Sequence, residues 1–135
     1  MALTRRKERE IVFQMLFAAQ FHSEGETEAL YQELLSGIEE EGASTSEYIK
    51  KVFCGARDYA PLAMEKIEKN ARDWKVERLS KTTLSILQLA IYEMDCVEDV
   101  PVKIAINEAV ELAKRFDEDK ARAFVNGILG SVAGK

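Results

Sequence analysis

The sequence predicts an all-α fold. Apolar residues recur at helical spacing along nearly the whole chain, and no stretch alternates apolar with polar residues for long enough to indicate a β-sheet. The connections between the predicted helices are short, which favours antiparallel packing of neighbouring helices into bundles. The chain of 135 residues is 47% hydrophobic and 32% charged, as expected for one globular domain.

Three helices are predicted in the first part of the chain. Thr4 is a suitable N-cap for the first helix, which continues to about Phe21 before Gly25 interrupts it. Thr27 is a suitable cap for the second helix. The loop EEEGASTSE follows and ends in a serine or threonine cap. The third helix has an apolar stripe that consists of Ile49, Val52, Phe53 and Ala56.

Four more helices are predicted in the rest of the chain. Pro61 suits the first turn of the fourth helix, where the N–H that proline lacks would be unpaired anyway. Ser80 is a suitable cap for the fifth helix, and Pro101 opens the sixth. The seventh follows the segment FDEDK, and its Gly127 is expected to permit a close contact between helices.

The densest positive charge lies at the start of the first predicted helix. In a protein of net charge -5, this segment sets Arg5, Arg6, Lys7 and Arg9 against Glu8 and Glu10. Cations at a helix start oppose the macrodipole. Glu8 and Glu10 offset part of this cost, and Glu8 can pair weakly with Arg5 at i, i+3, but full compensation is not evident. Residues 24–47, by contrast, contain eight glutamates and no lysine or arginine. This asymmetry indicates that one end of the molecule meets a polyanion.

Nothing in the sequence indicates an enzyme, a metal site or a cofactor. His22 is the sole histidine, and Cys54 and Cys96 lack C-x-x-C spacing, which predicts two buried thiols in a reducing compartment. The sequence has no glycine-rich phosphate loop and no glycine-flanked nucleophilic serine. No apolar run approaches the roughly 18 residues that span a bilayer, and the start lacks a signal-peptide pattern. We therefore expect a cytoplasmic protein that does not bind membranes.

Nucleic-acid binding is better supported. Arginine guanidinium groups are preferred partners of phosphate, and the segment RRKER provides several. The later segment KRFDEDKARAFVNG interleaves cations with aromatic rings: Lys114, Arg115, Lys120 and Arg122 with Phe116 and Phe124. This composition suits single-stranded RNA, because phosphates meet the cations while bases stack on the rings. The alternative is that the cations form a solvated helix face and that Phe124 belongs to the apolar stripe of the seventh helix.

Three segments, in order, resemble the NusB family of bacterial transcription antitermination factors. They are RRKEREIVFQMLF, then W-x-x-x-R-L (Trp74, Arg78, Leu79) with ILQLAIYEM, then VPVKIAINEAVELAKRF continuing to FVNGIL. The resemblance covers essentially the whole chain, and PVKIAINEAVELAK is its most specific part. It implies a single RNA-binding domain over residues 1–135, of seven helices in two packed bundles at roughly 1–75 and 76–135.

The resemblance also implies a function without catalysis. NusB-like proteins pair with NusE, a small-subunit ribosomal protein, and bind the boxA element of ribosomal RNA leaders. There they act in an RNA polymerase antitermination complex that reads through terminators. The implied RNA-binding residues are Arg5, Arg6, Lys7, Arg9, Phe116, Lys120, Arg122 and Phe124.

The implied NusE interface lies on the fifth helix, at Thr83, Leu84, Leu87 and Gln88. This stretch departs from the family pattern, which often has an acidic–basic pair and an arginine there.

Two alternatives to the antitermination hypothesis stay open at this point. One is a NusB-like domain of a ribosomal RNA methyltransferase. The other is a helical interaction module or homodimer, in which the acidic stretch of one copy occupies the basic start of another.

Overall fold

The fold is all-α, as predicted. The computed structural model describes residues 3–40, 47–71 and 79–134, and these residues contain helices and no strand. The helices are α1 (Arg5–Ala19), α2 (Glu24–Glu40), α3 (Glu47–Asp58), α4 (Ala60–Asn70), α5 (Lys81–Cys96), α6 (Val102–Phe116) and α7 (Asp119–Ala133). None of these helices has the length and apolar character that crossing a membrane requires. Trp74 and Arg78 lie outside the described residues. The prediction of two buried thiols is wrong, because Cys54 is half-buried and Cys96, at the end of α5, is exposed.

The chain divides into two compact units, Met1–Cys54 and Gly55–Lys135. We call them the amino-terminal and carboxy-terminal units. The division lies inside α3, earlier in the chain than the expected one near residue 75. In the amino-terminal unit, α1 and α2 share a core that includes Val12, Leu16 and Leu35. The ring of Tyr31 stacks on that of Phe53 there, with centroids 5.1 Å apart.

Helix α1 begins as the sequence predicts, and α2 does not. The Thr4 side chain accepts a hydrogen bond from the Lys7 N–H at 3.1 Å, which confirms it as the cap of α1. Helix α2 begins at Glu24, so the predicted interruption at Gly25 and the predicted cap at Thr27 are both wrong. Thr27 is buried inside the helix.

The cap of α2 is a reciprocal pair formed by Ser23 and Glu26. The Glu26 N–H donates to Ser23 Oγ at 3.3 Å, and the Ser23 N–H donates to Glu26 Oε1 at 2.9 Å. The backbone donor from Ser23 is the main cause that lowers the pKa of the Glu26 carboxyl. This S-x-x-E capping box is visible in the sequence as SEGE. The glycine inside it obscured the signal, because glycine usually marks a helix end.

Three of the remaining predicted helix starts are confirmed. The serine or threonine cap predicted for the third helix lies outside the described residues, and α7 begins at Asp119, within the segment FDEDK rather than after it. Pro61 lies in the first turn of α4, and Pro101 precedes the first residue of α6. Ser80 caps α5, since its Oγ accepts a hydrogen bond from the Thr83 N–H at 3.0 Å. Helices α5, α6 and α7 contact one another, and Leu87, Ile91 and Leu129 are fully buried in the carboxy-terminal unit.

Candidate nucleic-acid interface

The basic start of α1 has three exposed cations and one buried cation. Because Thr4 caps the helix, Arg5, Arg6 and Lys7 occupy its first turn, and all three are exposed. Arg9 is one turn further along and only 7% exposed. Its burial argues against the predicted contact of Arg9 with RNA, because a buried guanidinium offers little surface to a phosphate.

Two ion pairs within α1 offset part of the unfavourable interaction between these cations and the helix dipole. Arg5 Nε lies 3.0 Å from Glu8 Oε1, and Lys7 Nζ lies 2.7 Å from Glu10 Oε2. Both glutamates are buried, whereas the Arg5 and Lys7 side chains are each 53% exposed. The first pair is confirmed as predicted. Partial compensation by Glu10 was also expected, and the structure shows that it pairs with Lys7 at the same i, i+3 spacing.

A tyrosine from α3 lies against the basic start of α1. The guanidinium carbon of Arg5 is over the ring of Tyr48, 4.2 Å from its centroid, and that of Arg9 is 5.9 Å away. The ring itself is buried. Sequence reasoning did not find Tyr48, because an aromatic residue in the first turn of an amphipathic helix reads as ordinary core.

A second set of candidate residues surrounds the junction of α6 and α7 in the carboxy-terminal unit. Phe116 ends α6 with 37% of its surface exposed, and the Arg115 guanidinium lies 5.1 Å from its ring centroid. Helix α7 begins at Asp119, which places the exposed Lys120 and Arg122 in its first turn. The Phe124 side chain, one turn further along α7, is half-buried.

An open cavity of about 370 Å³ joins this junction to the start of α5. Lys120 and Phe124 line it on one side, and Ser80 and Thr83 on the other. Thr83 Oγ1 donates to Asp117 Oδ2 at 2.6 Å, while Asp117 Oδ1 accepts the Glu118 N–H at 2.9 Å. The hydroxyls of Ser80 and Thr83 are also within hydrogen-bond distance, at 2.9 Å. This network ties the loop between α6 and α7 to the cap of α5.

The predicted partner residues on α5 have little free surface. Thr83 is 5% exposed and occupied by Asp117, and Leu87 is completely buried. Gln88 is half-buried and donates from Nε2 to the Ala56 carbonyl at 3.1 Å. Leu84 is also half-buried. The burial of Thr83 and Leu87 argues against direct contact of these two side chains with a partner.

Comparison with known proteins identifies the family. The sequence model of the NusB family matches residues 6–134. The chain belongs to the NusB family. It is 41% identical to the transcription antitermination protein NusB of Limosilactobacillus fermentum, over 99% of this chain and 96% of that protein. It is 38% identical to the NusB protein of Clostridium botulinum, over 96% of this chain and 99% of that protein.

Solved NusB structures share the fold. A structure of T. maritima NusB superposes with a TM-score of 0.86 at 29% identity, covering 100% of this chain and 94% of that chain. A crystal structure of the antitermination factors NusB and NusE in complex with dsRNA matches with a TM-score of 0.79 at 24% identity. That match covers 96% of both chains. The predicted membership in the NusB family and the predicted fold class are therefore confirmed.

Proposed function

We propose that this protein is a transcription antitermination factor that binds boxA-type RNA of ribosomal RNA leaders together with NusE and promotes read-through by RNA polymerase. The observation that carries the proposal is the exposed basic first turn of α1 on a chain of the NusB family. The protein acts by binding, in the cytoplasm, without catalysis or a cofactor.

The two sets of residues have different roles in this proposal. Arg6 and Lys7 neutralise RNA phosphates, because they are exposed and carry their charge at the surface of the amino-terminal unit. In the carboxy-terminal unit, Phe116 and Phe124 contact bases, and Lys120 and Arg122 supply charge beside them. Stacking on such rings tolerates any base, so sequence preference requires additional polar contacts.

NusE is the proposed protein partner, and α5 is part of the surface that it meets. Of the four residues inferred there, Leu84 and Gln88 retain exposed surface for direct contact. Thr83 and Leu87 are buried, so they support the interface indirectly by holding α5 in position. NusE is therefore expected to contact the carboxy-terminal unit, and its effect on the affinity for RNA is measured by comparing binding with and without it.

A gel shift with boxA-like single-stranded RNA, with and without NusE, tests the proposal. We expect binding that weakens with salt, with log K falling by about 0.7 per tenfold change in salt for each phosphate neutralised. The double variant Arg6→Gln with Lys7→Gln removes two charges, so its slope is expected to be shallower by about 1.4.

The matched control is Lys69→Gln with Lys103→Gln, which removes the same two charges from exposed lysines of α4 and α6. Its salt slope is expected to equal that of the unmodified protein. No binding by the folded protein, with or without NusE, would contradict the proposed function. Equal slopes for both double variants would show that the α1 start is not the phosphate contact.

A further inference from the structure

Arg5 and Lys7 are equally exposed and similarly paired, yet they present different chemistry. Each side chain is 53% exposed and forms an i, i+3 ion pair with a buried glutamate. The ammonium of Lys7 is a compact point charge, whereas the guanidinium of Arg5 is a plane. The guanidinium carbon of Arg5 lies over the Tyr48 ring, 4.2 Å from its centroid. The exposed part of the Arg5 side chain therefore lies on the side away from the ring.

The position of Arg5 is held from two directions. The ring of Tyr48 supports the guanidinium from below and is itself 7% exposed, so it has little room to move. Glu8 accepts a hydrogen bond from Arg5 Nε at 3.0 Å, which fixes the edge of the plane. An exposed arginine normally loses rotamer entropy when it binds a ligand. At Arg5 part of that entropy is lost before any ligand arrives, which favours binding.

The contact with Glu8 weakens Arg5 as a phosphate ligand. Arginine binds a phosphate in bidentate fashion either through Nε and one Nη or through both Nη atoms, and at Arg5 the first of these pairs is engaged at Nε by Glu8. The Glu8 carboxylate also offsets the positive charge that would attract a phosphate. The side of the guanidinium away from Tyr48 is affected neither by the hydrogen bond to Glu8 nor by its charge. RNA-binding proteins stack unpaired bases on arginine planes as well as on aromatic rings.

We propose that Arg5, backed by Tyr48 and held by Glu8, is a stacking platform for one unpaired base of single-stranded RNA. The inference rests on the proposed RNA-binding function and assigns a base contact to the amino-terminal unit, where charge alone suggests phosphate contacts. Tyr48 and Glu8 are positioning residues, since they act through Arg5.

The variant Arg5→Lys tests the platform because it keeps the charge and removes the plane. We expect its affinity for a boxA-like single-stranded oligonucleotide to fall by about tenfold, with an unchanged salt slope. The control is Arg57→Lys in α3, outside both sets of candidate RNA-binding residues, and its affinity is expected to stay within about twofold. Tyr48→Phe keeps the supporting ring and is expected to bind as the unmodified protein does. Thermal melts of each variant, followed by circular dichroism, separate a loss of folding from a loss of binding.

A series of oligonucleotides with a single abasic site at each position in turn locates the base. At one position the unmodified protein loses about tenfold in affinity while Arg5→Lys loses almost nothing further, because the stacking partner is already absent.

Three outcomes overturn the platform while leaving the proposed function standing. They are equal affinity of Arg5→Lys and the unmodified protein, a shallower salt slope in Arg5→Lys, and an abasic series in which the two lose affinity in parallel at every position. Absence of RNA binding by the unmodified protein overturns the proposed function itself, and the platform with it.

Discussion

Two helical glycines, Gly127 and Gly55, show that residue type alone does not tell which glycine lies at a close contact. Gly127 was expected to permit a close helix contact, but a Cβ built there has no neighbour within 4 Å, so that prediction is wrong. Gly55 has this role instead, because a Cβ at Gly55 would overlap the hydroxyl and ring of Tyr92. Tyr92 is buried and its ring meets the edge of Tyr59, with centroids 6.0 Å apart. Both glycines lie inside helices, and the helical pattern alone does not distinguish them.

Gly55→Ala is expected to destabilise the protein by about 1–3 kcal/mol, because the buried Tyr92 ring must shift to admit a methyl group. Gly127→Ala is the matched control within the same unit. It adds a methyl group to an open position on a helix, and is expected to stabilise the protein by up to ~1 kcal/mol. Urea denaturation of both variants measures the difference, and equal free energies of unfolding would contradict the overlap at Gly55.

At the level of the helices, capping residues and prolines predicted some helix starts correctly and one incorrectly. Caps at Thr4 and Ser80 and prolines at the starts of α4 and α6 were predicted from the sequence, because each signal acts within one helical turn. The start of α2 was placed too late, since glycine at its second position outweighed the Ser23–Glu26 pair in the prediction. Glycine costs a helix about 1 kcal/mol, which a good capping box can offset.

Ser23→Ala is expected to lower the free energy of unfolding by about 1 kcal/mol, because the Glu26 N–H loses its acceptor at the start of α2. The comparison variant is Ser36→Ala, at an exposed position inside the same helix. There alanine has the better helix propensity and no cap is lost, so a change within about 0.5 kcal/mol is expected. Urea denaturation measures both, and a Ser23→Ala variant as stable as Ser36→Ala would argue against the capping box.

At the scale of the whole molecule, charge is segregated but partly neutralised within the chain. The acidic helix α2 has six glutamates and no cation, while the exposed cations of α1 lie in the same amino-terminal unit. Arg5 and Lys7 already have partners in Glu8 and Glu10. A dimer in which the basic start pairs with the acidic helix of another copy would therefore gain little free energy of association. It would exchange one set of ion pairs for another.

Size-exclusion chromatography with light scattering tests this at low and high salt. We expect the mass of one chain, 15.3 kDa, at both salt concentrations, since Arg5 and Lys7 already form ion pairs within α1 and a second copy would add little attraction. A dimer at low salt that dissociates at high salt would support the homodimer alternative. It would also predict that RNA competes with dimerisation.

Local patterns were enough to predict the all-α class, most of the helix starts, the basic cluster and the family, because periodicity, caps and motifs are properties of short stretches of chain. Which members of the basic cluster are exposed, and what each one contacts, depends on the tertiary structure. It buried Arg9, placed Tyr48 beneath Arg5 and joined Thr83 to Asp117, which is 34 positions away. These outcomes depend on which face of a helix meets a neighbour and at what distance. Packing between segments far apart in the chain sets both, and no local pattern records it.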